Sequence, residues 1–392
     1  MRHDVFGRAV LAALLVVALI VAGCSSGGGE SAGASRSAGA GAGASAASGA
    51  ASGGASAEPT AGESEAGSAT SSAPASPPAS VIPSPGEGEF ANPVIKRNMP
   101  DPYVLQVDDT YFLYSTEDGS NRYPYATSQD LVSWEYQGST MPRPPGWTDR
   151  NYWAPEVTQT PAGYVMYYTA RSRDIKRPSG DGAQCVGVAV AEGPEGPFVD
   201  DGDQPLVCQP DLGGTIDASV VRDVDDSLWL IYKNDGNCCG IPTRFYMRQM
   251  AEDGLTFAGD EIEVEGVVND QPWEGRVVEA PTIYHLDGTY YLFYSANDYA
   301  GVPYAVGYAT STELTGPYED APENPILATV QRVGPFGPGH QTLIEDPDGD
   351  LWLVYHAWER TFSQREVWID ELAFEGGKPV VQGPDSEPQP VP

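Results

Sequence analysis

Three acidic side chains lie in sequence settings where a charged group is costly. Asp101 is followed by Pro-Tyr-Val-Leu, Asp217 lies in Thr-Ile-Asp-Ala-Ser-Val-Val, and Glu279 lies in Val-Val-Glu-Ala-Pro-Thr-Ile. A carboxylate in an apolar strand is unfavourable unless it is hydrogen-bonded or functional. Like charges brought together push their pKa values apart, which makes an acid and a base from similar groups. Such a pair is what hydrolysis of a glycosidic bond requires.

A repeat predicts that these acids converge. An aromatic residue, two apolar residues and a Tyr recur five times, with starts 53, 65, 62 and 61 residues apart. The copies begin at Tyr111, Tyr164, Trp229, Tyr291 and Trp352. Such runs are typical of buried strands. Units of about 60 residues with several antiparallel strands predict an all-β, five-bladed β-propeller. Two packed β-sandwiches are the alternative, but they have no reason to repeat at this period.

Equivalent positions of the repeat should meet at one axis, because the inner strand of each blade lines the channel of a propeller. Counting back ten residues from the first two copies and twelve from the others gives Asp101, Ala154, Asp217, Glu279 and His340. Each acid alone could be a turn or surface residue. Their coincidence at equivalent positions predicts a shared catalytic centre.

The composition argues against nucleic acid as a partner. The chain has 392 residues, of which 55 are acidic and 21 basic, with a net charge of −34, whereas phosphate binding needs clustered Lys and Arg. Its 8 Trp, 21 Tyr and 10 Phe suit both strands and stacking on sugars. Trp153 is the main candidate for a sugar-stacking wall, followed by Trp147 and Tyr103. A place in the blade core is an equal alternative for each ring.

The N-terminus resembles the signal peptide of a bacterial lipoprotein. Arg2 and Arg8 accompany the apolar run 9–22, which is too short for a membrane span of about 20 residues. Val-Ala-Gly-Cys24 is similar to a lipobox, so we expect removal of residues 1–23 and lipidation of Cys24. The protein would then be exported and anchored at the outer face of the cell membrane. An ordinary signal peptide with a chance Cys is the alternative.

Residues 24–88 are almost wholly Ala, Gly, Ser, Pro and Glu, which predicts a disordered tether. The folded propeller domain is predicted over residues 89–392. Disulfides persist in an exported domain, and its four Cys residues allow three pairings. We favour a bond between Cys185 and Cys208. The adjacent Cys238 and Cys239 could form a vicinal disulfide or stay reduced.

Several short motifs together resemble glycoside hydrolase family 43, five-bladed propellers that act on arabinose- and xylose-containing plant polysaccharides. The resemblance covers nearly all of residues 92–382. The matching stretches are Asn92-Pro-Val-Ile95 with Asp101-Pro-Tyr-Val104, Tyr152-Trp-Ala-Pro-Glu156, Thr215-Ile-Asp217, Lys233-Asn-Asp-Gly-Asn237, Glu279-Ala-Pro281 and Gly337-Pro-Gly-His340. Each stretch is weak alone, but their order and their agreement with the repeat are specific. Ala218 and Ala280 depart from the family's usual Pro and Gly, and we expect them to affect only the substrate.

The resemblance implies a role for each acid. Asp101 would be the general base that activates water, and Glu279 the general acid that protonates the leaving oxygen. Asp217 would raise the pKa of the acid and orient it. The family inverts the anomeric configuration in one displacement, which implies carboxyl groups about 6.5–9.5 Å apart. Arg365 matches the place of a substrate-side Arg.

In relatives, the His at the position of His340 lies beside a calcium or sodium ion or a water cluster in the channel. The resemblance therefore makes His340 a candidate metal residue, with a neutral core His as the equal alternative. The chemistry itself needs no cofactor. A metal hydrolase is not predicted, because no second His lies at ligand spacing and His356 belongs to the core repeat.

The sequence thus predicts a monomeric, inverting glycoside hydrolase. Its partners would be arabinan, arabinoxylan or xylan-derived saccharides, and it would meet the membrane only through its lipid. Fructan-cleaving propellers are an alternative, but their Asn-Asp-Pro-Asn signature is absent near the first blade. A catalytically inactive, glycan-binding lipoprotein is the non-enzyme alternative, and it would predict loss of at least one axial acid.

Overall fold

The computed structural model describes residues 84–330 and 334–392. The predicted signal peptide 1–23, the lipidation site Cys24 and most of the predicted tether 24–88 lie outside this range. No helix of the described residues is long and apolar enough to cross a membrane.

The described chain is a five-bladed β-propeller, which confirms the predicted fold class. Neighbouring strands within each blade pair antiparallel. Short β1 (Glu89–Phe90) precedes the blades. Blade one holds β2 (Tyr103–Val107), β3 (Thr110–Tyr114), β4 (Pro124–Ser128) and β5 (Glu135–Ser139); blade two holds β6 (Thr148–Thr160), β7 (Gly163–Lys176) and β8 (Gly182–Ala191).

The last three blades each have four strands. Blade three holds β9 (Thr215–Arg222), β10 (Leu228–Asn234), β11 (Phe245–Gln249) and β12 (Ile262–Glu263); blade four holds β13 (Val278–Leu286), β14 (Thr289–Ala296), β15 (Ala305–Ser311) and β16 (Glu319–Asp320); blade five holds β17 (Phe336–Glu345), β18 (Leu351–Trp358), β19 (Arg365–Glu375) and β20 (Lys378–Val381). Strand β21 (Gln389–Pro390) pairs with β1. Two short 3-10 turns, Pro210–Leu212 and Gly236–Cys239, complete the elements of the described residues.

The repeated Tyr of each blade explains why the period is visible in the sequence. All five are fully buried on the second strand of their blade: Tyr114, Tyr167, Tyr232, Tyr294 and Tyr355. Each phenol donates a hydrogen bond despite its burial. A buried hydroxyl without a partner would destabilise the fold, so both the ring and its polar edge are used.

The inner strands break their regular pairing where they reach the axis. At equivalent positions near the axis, each blade has a residue with a left-handed backbone: Asp101 (φ 56°), Ala154 (41°), Asp217 (54°), Ala280 (51°) and His340 (53°). Register shifts accompany it in blades two to five. A bulge of this kind re-aims a side chain, and such strain is typical of functional sites.

The count from the repeat is wrong by one residue in blade four. The axial residue there is Ala280, and Glu279 directly precedes it. Glu279 pairs regularly with Ser295 before the register shifts. Its side chain therefore approaches the site from a different position than those of Asp101 and Asp217.

The first and last parts of the domain are tied together by buried hydrogen bonds. Asn92 Nδ2 donates to the carbonyl oxygens of Ile369 (2.6 Å) and Asp385 (3.1 Å). The Ile369 N–H donates to Asn92 Oδ1 at 3.0 Å. These contacts join residues 277 and 293 positions apart and so close the ring of blades.

Candidate active site

The three predicted acids meet in one cleft at the axis. The cleft has a volume of about 350 Å³ and is lined by Asp101, Asp217 and Glu279. The inner strands also enclose a cavity of about 20 Å³ on the axis, lined by three consecutive residues from each blade. That volume admits about one water molecule and is too small for a sugar.

Asp101 is held as a carboxylate by neighbours from three parts of the chain. Thr116 Oγ1 donates to its Oδ2 at 2.6 Å, and Arg365 Nη1 donates to its Oδ1 at 2.9 Å. His340 Nδ1 lies 3.4 Å from the same Oδ1. Burial alone would raise the pKa of Asp101, but Arg365 and then His340 hold it well below its usual range. The side chain is therefore ionised and suited to accept a proton.

His356 belongs to the site as well as to the core repeat. It is fully buried on β18, and its Nδ1 lies 3.1 Å from the backbone nitrogen of Asp101, which donates to it. Burial lowers the pKa of His356 to about 4, with Arg365 acting in the same direction. A neutral imidazole thus fixes the strained backbone at Asp101. From its sequence position, this His is predicted to belong to the core repeat alone.

Glu279 lies between a buried cation and a phenol. Lys233 Nζ donates to its Oε2 at 3.0 Å, and Tyr304 OH donates to its Oε1 at 2.8 Å. Lys233 is fully buried on β10 and also donates to Asn237 Oδ1 at 3.0 Å. Burial would raise the pKa of Glu279, but Lys233 and then Tyr304 lower it.

Asp217 carries the opposite shift. Its Oδ2 accepts a hydrogen bond of 3.2 Å from the N–H of Ala280. The pKa of Asp217 is raised to about 6. Burial is the largest cause and the charge of Glu279 adds to it, while His340 and Lys233 oppose the rise. The pKa of Glu279 is lowered because Lys233 and Tyr304 together outweigh the effect of burial. Asp217 and Glu279 titrate together, and the pair holds one proton in mildly acidic solution.

Sequence reasoning missed Lys233, Tyr304 and Thr116. A Lys inside the apolar strand Leu228–Asn234 was a usable signal, since a buried ammonium needs an acidic partner. Tyr304 lies on the connection before β15 and Thr116 follows β3. No local pattern distinguishes these two from other core residues.

The candidate sugar-binding residues separate into two groups. Trp153 and Arg365 line the cleft, and the Arg365 guanidinium lies 4.9 Å from the centre of the Tyr299 ring. Trp147 is only 3% exposed, donates to Asp200 and stacks on Tyr168. Trp147 is therefore a core residue. Tyr103 lines the narrow axial cavity instead of the cleft.

His340 stays a candidate metal residue. Its Nδ1 faces Asp101 Oδ1, an oxygen that also pairs with Arg365. No cluster of three or more His, Cys, Asp or Glu side chains within the described ranges is arranged to hold an ion.

Both cysteine pairs are joined. Cys185 on β8 bonds to Cys208, 23 positions later in the connection to blade three. Cys238 and Cys239 form a vicinal disulfide at the end of the turn Gly236–Cys239. Cys238 also lines the cleft.

Comparison with known proteins points to one family. The family model described as "Glycosyl hydrolases family 43" matches residues 90–379. A solved structure, that of a thermostable family-43 glycoside hydrolase, is 32% identical and superposes with a TM-score of 0.70, covering 77% of this chain and 99% of its own. A second, titled endo-1,4-beta-xylanase from Bacteroides thetaiotaomicron, is 26% identical with a TM-score of 0.64, at 77% and 99% coverage.

Two curated relatives show the range of named activities. Xylosidase/arabinosidase 43B of Humicola insolens is 26% identical over 284 residues, which are 67% of this chain and 48% of that protein. Extracellular exo-alpha-(1->5)-L-arabinofuranosidase ArbA of Cellvibrio japonicus is 25% identical over 285 residues, which are 66% and 78%. This chain therefore spans about half the length of the first relative and about three quarters of the second.

Proposed function

This chain belongs to glycosyl hydrolase family 43 and is a glycoside hydrolase, and from that premise we propose that it cleaves arabinose- or xylose-containing plant saccharides. The proposed cleavage inverts the configuration of the anomeric carbon. The observation that carries the proposal is the meeting of three acids with separated pKa values in one cleft. The glycan-binding alternative predicted loss of an axial acid, and all three acids are present.

The proposed roles are those that the resemblance to the family implies. Asp101 stays ionised and takes a proton from the attacking water. Glu279 delivers the proton of the Asp217–Glu279 pair to the leaving oxygen, with Asp217 as the partner that keeps that proton available. Lys233 and Tyr304 hold the Glu279 carboxyl group in place. No step requires a bound metal ion.

The substrate class follows from the relatives' names and the cleft. The relatives are named as arabinofuranosidase, arabinanase and β-xylosidase, so arabinan, arabinoxylan and xylan-derived saccharides are the proposed substrates. Trp153 offers an apolar face for a sugar ring, and Arg365 lies beside the base.

We further infer that the enzyme is exported and attached to the cell membrane through lipidated Cys24. The apolar run before Val-Ala-Gly-Cys24 supports this inference. Two relatives, ArbA and an arabinanase of Bacillus subtilis, are named extracellular.

A substrate panel tests the proposal. The wild type should cleave at least one of p-nitrophenyl arabinofuranoside, p-nitrophenyl xyloside, linear arabinan and arabinoxylan. Asp101→Ala and Glu279→Ala should lower kcat by about 100-fold or more, because each removes a proton-transfer group. Proton NMR should show inverted anomeric configuration in the first product.

Asp109→Ala, on the exposed turn between β2 and β3, is the matched control and should keep wild-type rates. Near-normal activity of either site variant would refute the assigned roles. First product with retained configuration would refute the single displacement.

A further inference from the structure

A fourth buried acid in the cleft has no assigned role. Asp235 directly follows β10 and lines the same cleft as Asp101 and Glu279. The residue is only 5% exposed. Asp101, Asp217 and Glu279 each accept hydrogen bonds, yet no residue of the described ranges donates one to the Asp235 carboxyl group. Its oxygens are not sealed from solvent, so they face the open cleft.

A buried carboxyl group without donors is unfavourable, and a native fold keeps one where a ligand or water completes it. The charged groups around Asp235 are Lys233, Arg177, Asp217 and Glu279. The pKa of Asp235 is raised to about 7, mainly by burial. The charges of Asp217 and Glu279 add to this rise, and those of Lys233 and Arg177 oppose it. Hydrogen bonds from a ligand would favour its ionised form.

The backbone around Asp235 is tightly fixed. Its N–H donates to the Gly214 carbonyl oxygen at 2.9 Å. Gly213 adopts φ 98°, and any side chain there would collide with the Asp235 carbonyl group. The side-chain Nδ2 of Asn234 donates to the carbonyl oxygens of Leu212 and Pro242, each at 3.1 Å. The backbone that carries the carboxyl group is thus held in a preformed position, which favours orientation of a substrate.

We propose that Asp235 is a positioning residue that accepts hydrogen bonds from neighbouring hydroxyl groups of the sugar bound in the cleft. This inference rests on the proposed function and names a contact within the same site. Adjacent ring hydroxyls supply two donors, and a carboxylate supplies two acceptor oxygens in one plane. Asp101 and Glu279 are occupied with the scissile bond, so Asp235 is the cleft acid left to orient the ring.

Mono-deoxy substrates test this contact. For wild type, removing either hydroxyl group that donates to Asp235 should lower kcat/KM about 10- to 100-fold, the effect of one hydrogen bond to a charged group. Asp235→Ala should lower kcat/KM for the full sugar by at least a similar factor and should lose the penalties at these two neighbouring positions and at no other. A purely structural residue would leave the deoxy penalties unchanged.

The experiment uses the full chain and p-nitrophenyl glycosides of the preferred pentose with each ring hydroxyl removed in turn. Asp235→Asn, which keeps one acceptor oxygen and the side-chain shape, should show an intermediate penalty and covers the case that Asp235→Ala does not fold. Asp226→Asn, on the exposed turn before β10, is the control and should match wild type.

The outcomes separate the two claims. Identical deoxy penalties in active wild type and Asp235 variants would overturn the role of Asp235 alone. A folded wild type that cleaves no pentoside would overturn both this role and the proposed function.

Discussion

At the active site, one buried lysine decides how two neighbouring acids share a proton. Glu279 and Asp217 lie in the same cleft and are equally buried, at 8% exposure each. Lys233 contacts Glu279 directly at 3.0 Å and acts on Asp217 only through its charge. The contact with Lys233 therefore lowers the pKa of Glu279, whereas burial raises that of Asp217 to about 6.

This arrangement predicts the pH dependence of the enzyme. The reaction needs the proton of the Asp217–Glu279 pair, so kcat/KM should fall as the pH rises through about 6. Lys233→Gln removes the cation that favours ionised carboxylates, so it should raise the pKa of the pair and move this basic limb to higher pH. Asp101 should stay ionised well into the acid range, because its pKa is held low.

A pH profile of kcat/KM for both proteins measures this shift. Lys378→Gln is the control, because this Lys is 60% exposed and pairs only with Glu323 among the described residues. The basic limb of the control's pH profile should coincide with that of wild type. If the basic limb of the Lys233→Gln profile coincides with that of wild type, Lys233 does not control the pKa of the Asp217–Glu279 pair.

At the level of the strands, the bulges near the axis position the acidic side chains, and residues of neighbouring blades hold these side chains in place. Tyr304, just before β15 of blade four, donates to Glu279, and its ring packs against Gly339 on β17 of blade five. An added methyl group at Gly339 would collide with this ring. The glycine thus permits the contact between the two blades that holds the proposed acid.

Gly339→Ala should therefore displace Tyr304 and release Glu279. We expect a loss of about 100-fold in kcat/KM, the usual effect of a misplaced catalytic group, with the overall fold kept. Kinetics on the preferred substrate, with circular dichroism to monitor folding, measures this effect.

Gly146→Ala is the matched control, because a side chain there meets no atom within 4 Å and the backbone is not left-handed. Full activity of Gly339→Ala would show that the position of Tyr304 does not matter for turnover.

For the whole molecule, the ring of five blades explains how acids far apart in sequence share one cleft. Asp101 and Glu279 belong to different blades, and closure of the ring by Asn92 and by pairing of β1 with β21 fixes their relation. The net charge of −34 would oppose binding to anionic lipid headgroups. Membrane attachment is therefore expected to come from the lipid on Cys24.

Cys24→Ser should release the enzyme from the membrane fraction into the medium or the soluble fraction, because the acyl chains supply the binding free energy. Activity measured in fractionated bacterial cells, together with incorporation of labelled palmitate, tests this. Ser25→Ala should remain in the membrane fraction. Membrane-bound Cys24→Ser protein would contradict the lipid anchor.

The sequence alone was sufficient for the fold class and for three of the four acids that line the cleft. The repeated aromatic residues reflect burial within each blade, and burial leaves a periodic pattern in the chain. The three acids stood out because apolar strands rarely carry carboxylates.

Only the tertiary structure decided the remaining features. The offset at Ala280 depends on a bulge that counting cannot locate. The direction of the pKa shift in Glu279 depends on Lys233, 46 positions away, and the hydrogen bonds of Asp101 come from Thr116 and Arg365. Electrostatic and hydrogen-bond energies depend on distance in space, and distances between blades are fixed only when the ring closes.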